Sequence, residues 1–225
     1  MLISFKDIVR KYGKPEGILH VGANIGEEAK AYLEMGVFRQ IWIEANPEIF
    51  SILQQKVTAL PNQFDNNQLF FCNFCIGDVD GQEVNFHVSN NGSQSSSILE
   101  LGTHKYAHPD VHYVRDIPMK THRIDTVFNR LKESKNEHGY NAFDPDKFDF
   151  LNIDLQGAEL MALRGMGDLL KQFKYAYLEI NKQELYKGCA LWPEVEKYMK
   201  GFGFVTKEIK MSGNSGWGDC LMVKR

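Results

Sequence analysis

The chain has 225 residues, 43% hydrophobic and 24% charged, with a formal net charge of −3 at pH 7. That length carries one substantial core and is short for two, and the composition is that of an ordinary soluble globular domain. The mild negative charge speaks against a nucleic-acid partner, and no run approaches the roughly 18 apolar residues of a membrane span.

Along the chain, MLISFKDIVRKYGKPEG places Phe5, Ile8, Val9 and Tyr12 at helical spacing, predicting a short N-terminal helix over about residues 1–14. It lacks the apolar core and cleavage site of a signal peptide, so a cytoplasmic chain is expected. GILHVG (17–22) reads as a buried strand and EEAKAYLEMG as a helix closed by Gly36. QIWIEA (40–45) is a second strand; NPEIFSILQQKV is a helix with Asn46 as N-cap and Pro47 at its first position. QLFFCNFCIG (68–77) reads as a third strand.

A β-rich and loop insertion over about 77–122 follows, with GDVDG as a turn, QEVNFHVS as an alternating strand and NNGSQSSS as a polar loop. RIDTVFNRLKESK is helical and NEHGYNAFDPDK a loop. FDFLNID (148–154) and YAYLEIN (175–181) are buried strands; GAELMALRGMGDLLKQF between them is a helix with a glycine break. WPEVEKYMKGFG is a last helix, and the tail predicts two strands around a glycine-rich hairpin loop. The pattern implies one α/β domain over residues 1–225, a doubly wound, mainly parallel sheet with an antiparallel strand at or near an edge. Ligands of such sheets collect at the carboxyl ends of the strands.

Of the four cysteines, Cys72 and Cys75 have a zinc-like spacing, but no second pair or close histidine completes a site. Buried thiols are expected there, and no metal.

The first strand ends in Gly22-Ala23-Asn24-Ile25-Gly26. A dinucleotide turn reads G-x-G-x-x-G; here Asn24 replaces the middle glycine and the third is missing, which weakens a pyrophosphate site. S-adenosylmethionine carries no phosphate. Its carboxylate suits the amides at a helix N-terminus, and an Asn side chain offers it a donor and an acceptor. Glu44 closes the second strand, where it either accepts from ribose hydroxyls or stands as a solvated strand end. Asp78 either meets an adenine amino group or is a plain turn residue.

NIDLQGAEL (152–160) carries Asp154 at a strand end, Gly157, and Glu159 at a helix start, and Glu179 ends the next strand. Three carboxylates at neighbouring strand ends are costly unless they bind a cation or hold protons. Such a group can deprotonate a hydroxyl, bind sugar hydroxyls or hold a divalent ion.

The ordered segments HVGANIGEE, IWIEANP, CIGDVDG, SQSSSIL, HRIDTV, FDFLNIDLQGAELMALRGM and YLEIN resemble the FkbM-like S-adenosylmethionine-dependent methyltransferases. The resemblance covers about residues 17–181 and implies a seven-stranded class I (Rossmann-like) fold. It places His20, Gly22, Asn24, Gly26, Glu44 and Asp154 against S-adenosylmethionine, with S-adenosylhomocysteine as product. It sets Asp78 near the adenine, and Asp154 and Glu159 near the transfer site. It also implies O-methylation of a sugar, glycan or secondary metabolite. Two positions depart from the family pattern: His20 stands where an acid is frequent, and Gln156 replaces the middle acid of D-x-E-G-x-E.

Methyl transfer to an alcohol needs alignment and a base for the hydroxyl proton. Asp154 is the first candidate, Glu159 the second, and His122 the imidazole competitor. Glu159 has a second reading, as a carboxylate at a helix N-terminus. Ser96, Ser97 and Glu179 are candidates for an acceptor; Ser95 belongs to the same loop. His104, His108 and His112 read as a substrate-lining loop, because Pro109 breaks the helix a metal pair would need. Trp192 and Trp217 read as packing residues and Asp125 as a backbone anchor. The loops at 89–122 and 136–147 are expected to set acceptor choice. A nicotinamide-dependent oxidoreductase and a non-catalytic cofactor binder remain as alternatives.

Overall fold

The structure, a computed structural model, describes residues 1–61, 68–134 and 143–225. Its strands are β1 (Gly17–Val21), β2 (Arg39–Ile43), β3 (Leu69–Cys72), β4 (Cys75–Ile76), β5 (Glu83–Ser89), β6 (Tyr113–His122), β7 (Phe150–Ile153), β8 (Tyr175–Asn181), β9 (Phe204–Met211) and β10 (Trp217–Lys224). The α-helices are α1 (Phe5–Tyr12), α2 (Ala29–Glu34), α3 (Pro47–Thr58), α4 (His104–Ala107), α5 (Ile124–Glu133), α6 (Glu159–Met166) and α7 (Trp192–Gly201).

Seven strands form one sheet in the order β3-β2-β1-β7-β8-β10-β9. All pairings from β3 to β8 are parallel, and β10 runs antiparallel to both β8 and β9. The antiparallel strand therefore lies one in from the edge. β1 and β8 are buried along their whole length, as strands covered on two faces must be. Alternate side chains feed two cores: Leu19, Val21, Ile41 and Ile43 join the core that holds Val127, Leu163 and Val195, whereas Ile18, Trp42 and Leu221 join Phe5, Tyr32 and Leu53.

Local chemistry sets the helix starts. The Asn46 side chain accepts from Glu48 N–H at 3.1 Å and Pro47 takes the first helical position, so α3 begins where β2 ends. α1 buries Phe5, Ile8 and Val9; Phe5 meets Tyr32 and Phe150 edge-on at 4.7 and 5.3 Å. Each such burial is worth about 1.5–3 kcal/mol. No helix among the described residues is long and apolar enough to cross a membrane.

The insertion builds a second, three-stranded sheet ordered β4-β6-β5, and two expectations are corrected there. The run 68–77 is not one strand but two: β3 in the main sheet, β4 in the small one. The break is made by Asn73, whose side-chain amide donates to the Glu44 and Ala45 carbonyls at 2.8 and 2.9 Å and turns the chain out of the main sheet. Strand β6 lies where a loop was expected. Its Pro118 sits in a stretch that pairs with β5 but not with β4, which meets β6 only at Thr121 and His122, an arrangement proline tolerates. Of the loop NEHGYNAFDPDK, residues 136–142 lie outside the described residues, and Pro145–Lys147 form a 3-10 turn.

The sheet order reverses at β1, and the chain returns to lay β7 on its other side. Gly22, at φ +76°, ends β1 so close to β7 that a Cβ there would lie 1.7 Å from the Asp154 carbonyl oxygen. Gly81, at φ +77°, has open space around it. Gly81→Ala is therefore expected to cost about 1 kcal/mol, the left-handed backbone alone, and Gly22→Ala more than about 3 kcal/mol or the fold itself. Urea midpoints of the two variants decide this; equal shifts would remove the contact from any structural role.

Candidate active site

A cavity of about 510 Å³ opens at the carboxyl ends of β1, β2, β7 and β8, roofed by the loop 89–97 and by α4. Its size is that of a small-molecule site. Of the residues singled out from the sequence, His20, Gly22, Asn24, Glu44, Asp154, Ser96, Ser97 and Glu179 line it.

Glu44 holds the first half together. Its Oε2 accepts from Asn24 N–H at 2.9 Å and its Oε1 from Asn46 N–H at 2.8 Å. Each oxygen keeps a second lone pair, so the carboxylate can also accept from a vicinal diol. Burial pushes its pKa up to about 7, against the three backbone amides that pull it down. Asn24 sits at φ +44°, caps Ile25 N–H through its own Oδ1 at 2.8 Å and donates to the Gly92 carbonyl at 3.3 Å. His20 forms a neutral wall: burial pushes it down to about 4, and its ring nitrogens meet Tyr32 Oη and Asn152 Nδ2, both at 3.3 Å. Ala45, Cys75, Ile76 and Phe86 add an apolar side to this half. The four cysteines are free and buried, and burial pushes Cys72 and Cys75 up to about 12, making them inert packing groups.

The second half is built around Gln156, at φ +53°. Its Nε2 donates to Asp154 Oδ1 at 2.7 Å and to Glu179 Oε2 at 2.8 Å, and its Oε1 accepts from Tyr186 Oη at 2.5 Å. Its carbonyl accepts from Ser97 Oγ at 2.8 Å. Burial, then the Asp154 charge, raises Glu179 well above its ordinary value. Asp154 is pushed up, chiefly by burial, to about 6 and is ionised there. Glu159 comes within reach of both, since Asp154, Glu159 and Glu179 each offer an oxygen within 4.8 Å of the others. Its Oε1, however, accepts from Leu155 and Gly157 N–H at 2.9 and 3.0 Å, and it does not line the cavity. It anchors the turn that presents Asp154, and burial pushes it up to about 7.

Three residues, Gly26, Asp78 and His122, sit elsewhere than expected. Gly26 lies behind the turn, where a Cβ would meet Leu53 and Val57 at 2.7 and 2.8 Å. Asp78 travels with β4 into the small sheet, where its carbonyl accepts from Arg123 at 2.9 Å. His122 ends β6, with its ring 4.5 Å from Phe74 and its Nδ1 4.0 Å from Asp80. Trp192 packs in the core. Asp125 clamps Arg123 at 2.6 Å and Thr126 N–H at 2.8 Å, as a backbone anchor should. The serines of the roof are held by one another: Ser93 and Ser96 hydroxyls meet at 2.6 Å, and Asn46 Nδ2 donates to Ser93 Oγ at 3.1 Å.

The sequence concealed Tyr177 and Asp219 as wall residues. Tyr177 Oη donates to Asp219 Oδ2, which also accepts from Leu2 N–H at 2.5 Å, and Ile3 N–H donates to Tyr177 Oη at 3.0 Å. The first three residues are thereby laid along the cavity, which Met1 and Leu2 line. The only hint was an acid inside the tail segment GWGDC.

Residues 20–206 match the family model described as the methyltransferase FkbM domain. The chain is 27% identical over 191 residues to the 2-O-methyltransferase NoeI of Sinorhizobium fredii, covering 81% of this chain and 71% of that one. The crystal structure of methyltransferase FkbM from Methylobacillus flagellatus KT superposes with a TM-score of 0.55 at 16% identity, over 93% of this chain and 44% of that one. This chain thus spans less than half of that protein. Magnesium protoporphyrin IX methyltransferase (ChlM) of Synechocystis PCC 6803, with bound SAM, superposes at 0.51 with 12% identity over 98% of this chain and 76% of that one. The chain belongs to the FkbM methyltransferase family and has the class I methyltransferase fold.

Because folding raises Glu44 from the ordinary carboxylate range to about 7, its contribution to stability is present at low pH and is lost as pH rises through about 7. A ligand diol that prefers the ionised carboxylate reverses that preference. S-adenosylhomocysteine affinity is therefore expected to rise about fivefold from pH 6 to pH 8, the gain of a charge-assisted hydrogen bond. In Glu44→Gln this rise should vanish. Calorimetric titration at the two pH values checks it, and a slope unchanged by the substitution would take Glu44 out of the binding site.

Proposed function

We propose that this FkbM-family chain is an S-adenosylmethionine-dependent O-methyltransferase acting on a hydroxyl of a sugar-like acceptor. One observation carries the reading. Asp154, at the end of β7, faces the cavity between the Glu44 half and a half walled by Tyr186 and Trp217.

The lining suits the cofactor. S-adenosylmethionine has one net positive charge and no phosphate, and the cavity pairs acidic groups with a diol-ready Glu44. Gly22, Asn24 and Glu44 would hold it, with Ala45, Cys75, Ile76 and Phe86 as an apolar side for a base. When bound, it would supply an electrophilic methyl group for the acceptor oxygen, with the sulfur as leaving atom. Asp154 accepts the hydroxyl proton, and an acid pushed up to about 6 is suited to do so near neutral pH. Gln156 aims that carboxylate by its 2.7 Å hydrogen bond. The similarity to a protein named a 2-O-methyltransferase supports oxygen as the accepting atom.

Asp154→Asn should keep S-adenosylhomocysteine affinity within about threefold and lower turnover at least about a hundredfold, the usual scale for losing a base. Methyl-labelled S-adenosylmethionine and a panel of glycosides, with products mapped by mass spectrometry, measure this. Transfer to nitrogen rather than oxygen would refute the reading; full turnover in the variant would move the base elsewhere.

A further inference from the structure

The wall of the cavity has a one-sided charge. Glu27, Glu28, Glu44, Asp154, Glu179 and Asp219 line it, and among the described residues no lysine or arginine does. The one formal cation at the wall, the Met1 ammonium, is 3.1 Å from Glu28 Oε1. The buried imidazoles do not supply positive charge either: burial lowers His20 to about 4, and burial followed by the charge of His108 lowers His104. A bound cationic cofactor compensates one carboxylate and leaves the rest of the wall acidic.

The acceptor half also shows unspent polar capacity. His104 is 4% exposed, lines the cavity, and its Nδ1 has no hydrogen-bond partner. Its ring stands 5.4 Å from Tyr186 and 4.8 Å from His108. A buried nitrogen left unpaired is costly. Tyr186 and Trp217 contribute aromatic surface of the kind that packs on a sugar face.

Resting on the reading that the acceptor enters this cavity, we infer that the ring accepted there is uncharged or amine-bearing, and not a phosphate ester or a uronate. An anionic ring would meet several carboxylates with no basic side chain to answer them, and in a partly enclosed site such repulsion is weakly screened. An ammonium on the ring gains from the same field. Hydroxyls find the carboxyl oxygens of Asp154 and Glu179. The charge of the cavity thus selects against the phosphorylated sugars that its size would admit.

The test uses the full chain saturated with S-adenosylhomocysteine and ligand-observed NMR, at about pH 8 to hold free imidazoles neutral. The probes are the methyl glycoside, the methyl glycoside of the 2-amino sugar, the methyl uronide and the sugar 6-phosphate, each in the gluco, galacto and manno series. The expected result is binding by the neutral or amine-bearing member of at least one series. The two anionic members of that series should bind at least about tenfold more weakly. An anion that binds as well as its neutral counterpart overturns the inference. Silence from every neutral and amine-bearing ring, with S-adenosylhomocysteine bound, overturns it too. Failure of S-adenosylhomocysteine itself to bind is a separate outcome, and it strikes the methyl-donor reading instead.

Discussion

The contact between Gly22 and the Asp154 carbonyl is the constraint on which the site depends. β1 and β7 are neighbours in the sheet, and Asp154 N–H donates to the Val21 carbonyl at 3.0 Å. Beyond that bond the two chains must part, one into the turn that faces the donor, the other into the turn that faces the acceptor. Only a residue without a Cβ lets them stay in contact while they do so. The two halves of the cavity consequently share a wall one residue thick, and Asp154 stands on it.

Crowding carboxylates at such a junction is costly, and the protein offsets the cost with amide protons. Glu44 takes two backbone N–H groups, Glu159 takes two more, and Gln156 bridges Asp154 and Glu179. The Gln156 bridge explains a substitution that looked like a loss. A third acid at that position would put another negative charge between two already destabilised by burial. The amide supplies two protons there instead, and its oxygen is used to fix Tyr186. Burial raises both carboxyls, and the Asp154 charge raises Glu179 further, so that two chemically similar groups are pushed apart.

The central strands, the glycine turn after β1 and the acidic ends of β2, β7 and β8 were legible because they are written locally, in apolar runs buried on both faces. The path between them was not. The run LFFCNFCI is apolar throughout, and nothing in it marks the exit at Asn73, which is fixed by carbonyls of residues 44 and 45. That one unread bend displaces everything counted from it. Asp78 was placed by assuming a third main-sheet strand through residue 77, and it follows β4 of the small sheet instead. β6 was unreadable for a different reason: it is exposed along most of its length, so its alternation is weak, and Pro118 argues against a strand. Glu159 was legible as an acid at the right place, but two readings fit that place, and only the direction of its oxygens separates them. Asp219 and Tyr177 were hidden because their partners lie at the opposite end of the chain.

The roof ties the halves a second time. Asn24, in the donor-side turn, donates to the Gly92 carbonyl; Asn46 donates to Ser93; and Ser97, four residues on, donates to the Gln156 carbonyl in the acceptor-side turn. The serines that suggested acceptor contacts are mostly consumed in holding this span, so their role is to set the distance between the turns rather than to read a substrate. Since Glu44 bonds to the amides of both Asn24 and Asn46, its protonation state bears on the two residues that hold the near end of the roof. Ligand hydroxyls that settle Glu44 in its ionised form therefore also strengthen the anchors of the loop above the acceptor half. The two sides of Asp154 are in this way connected through five hydrogen bonds.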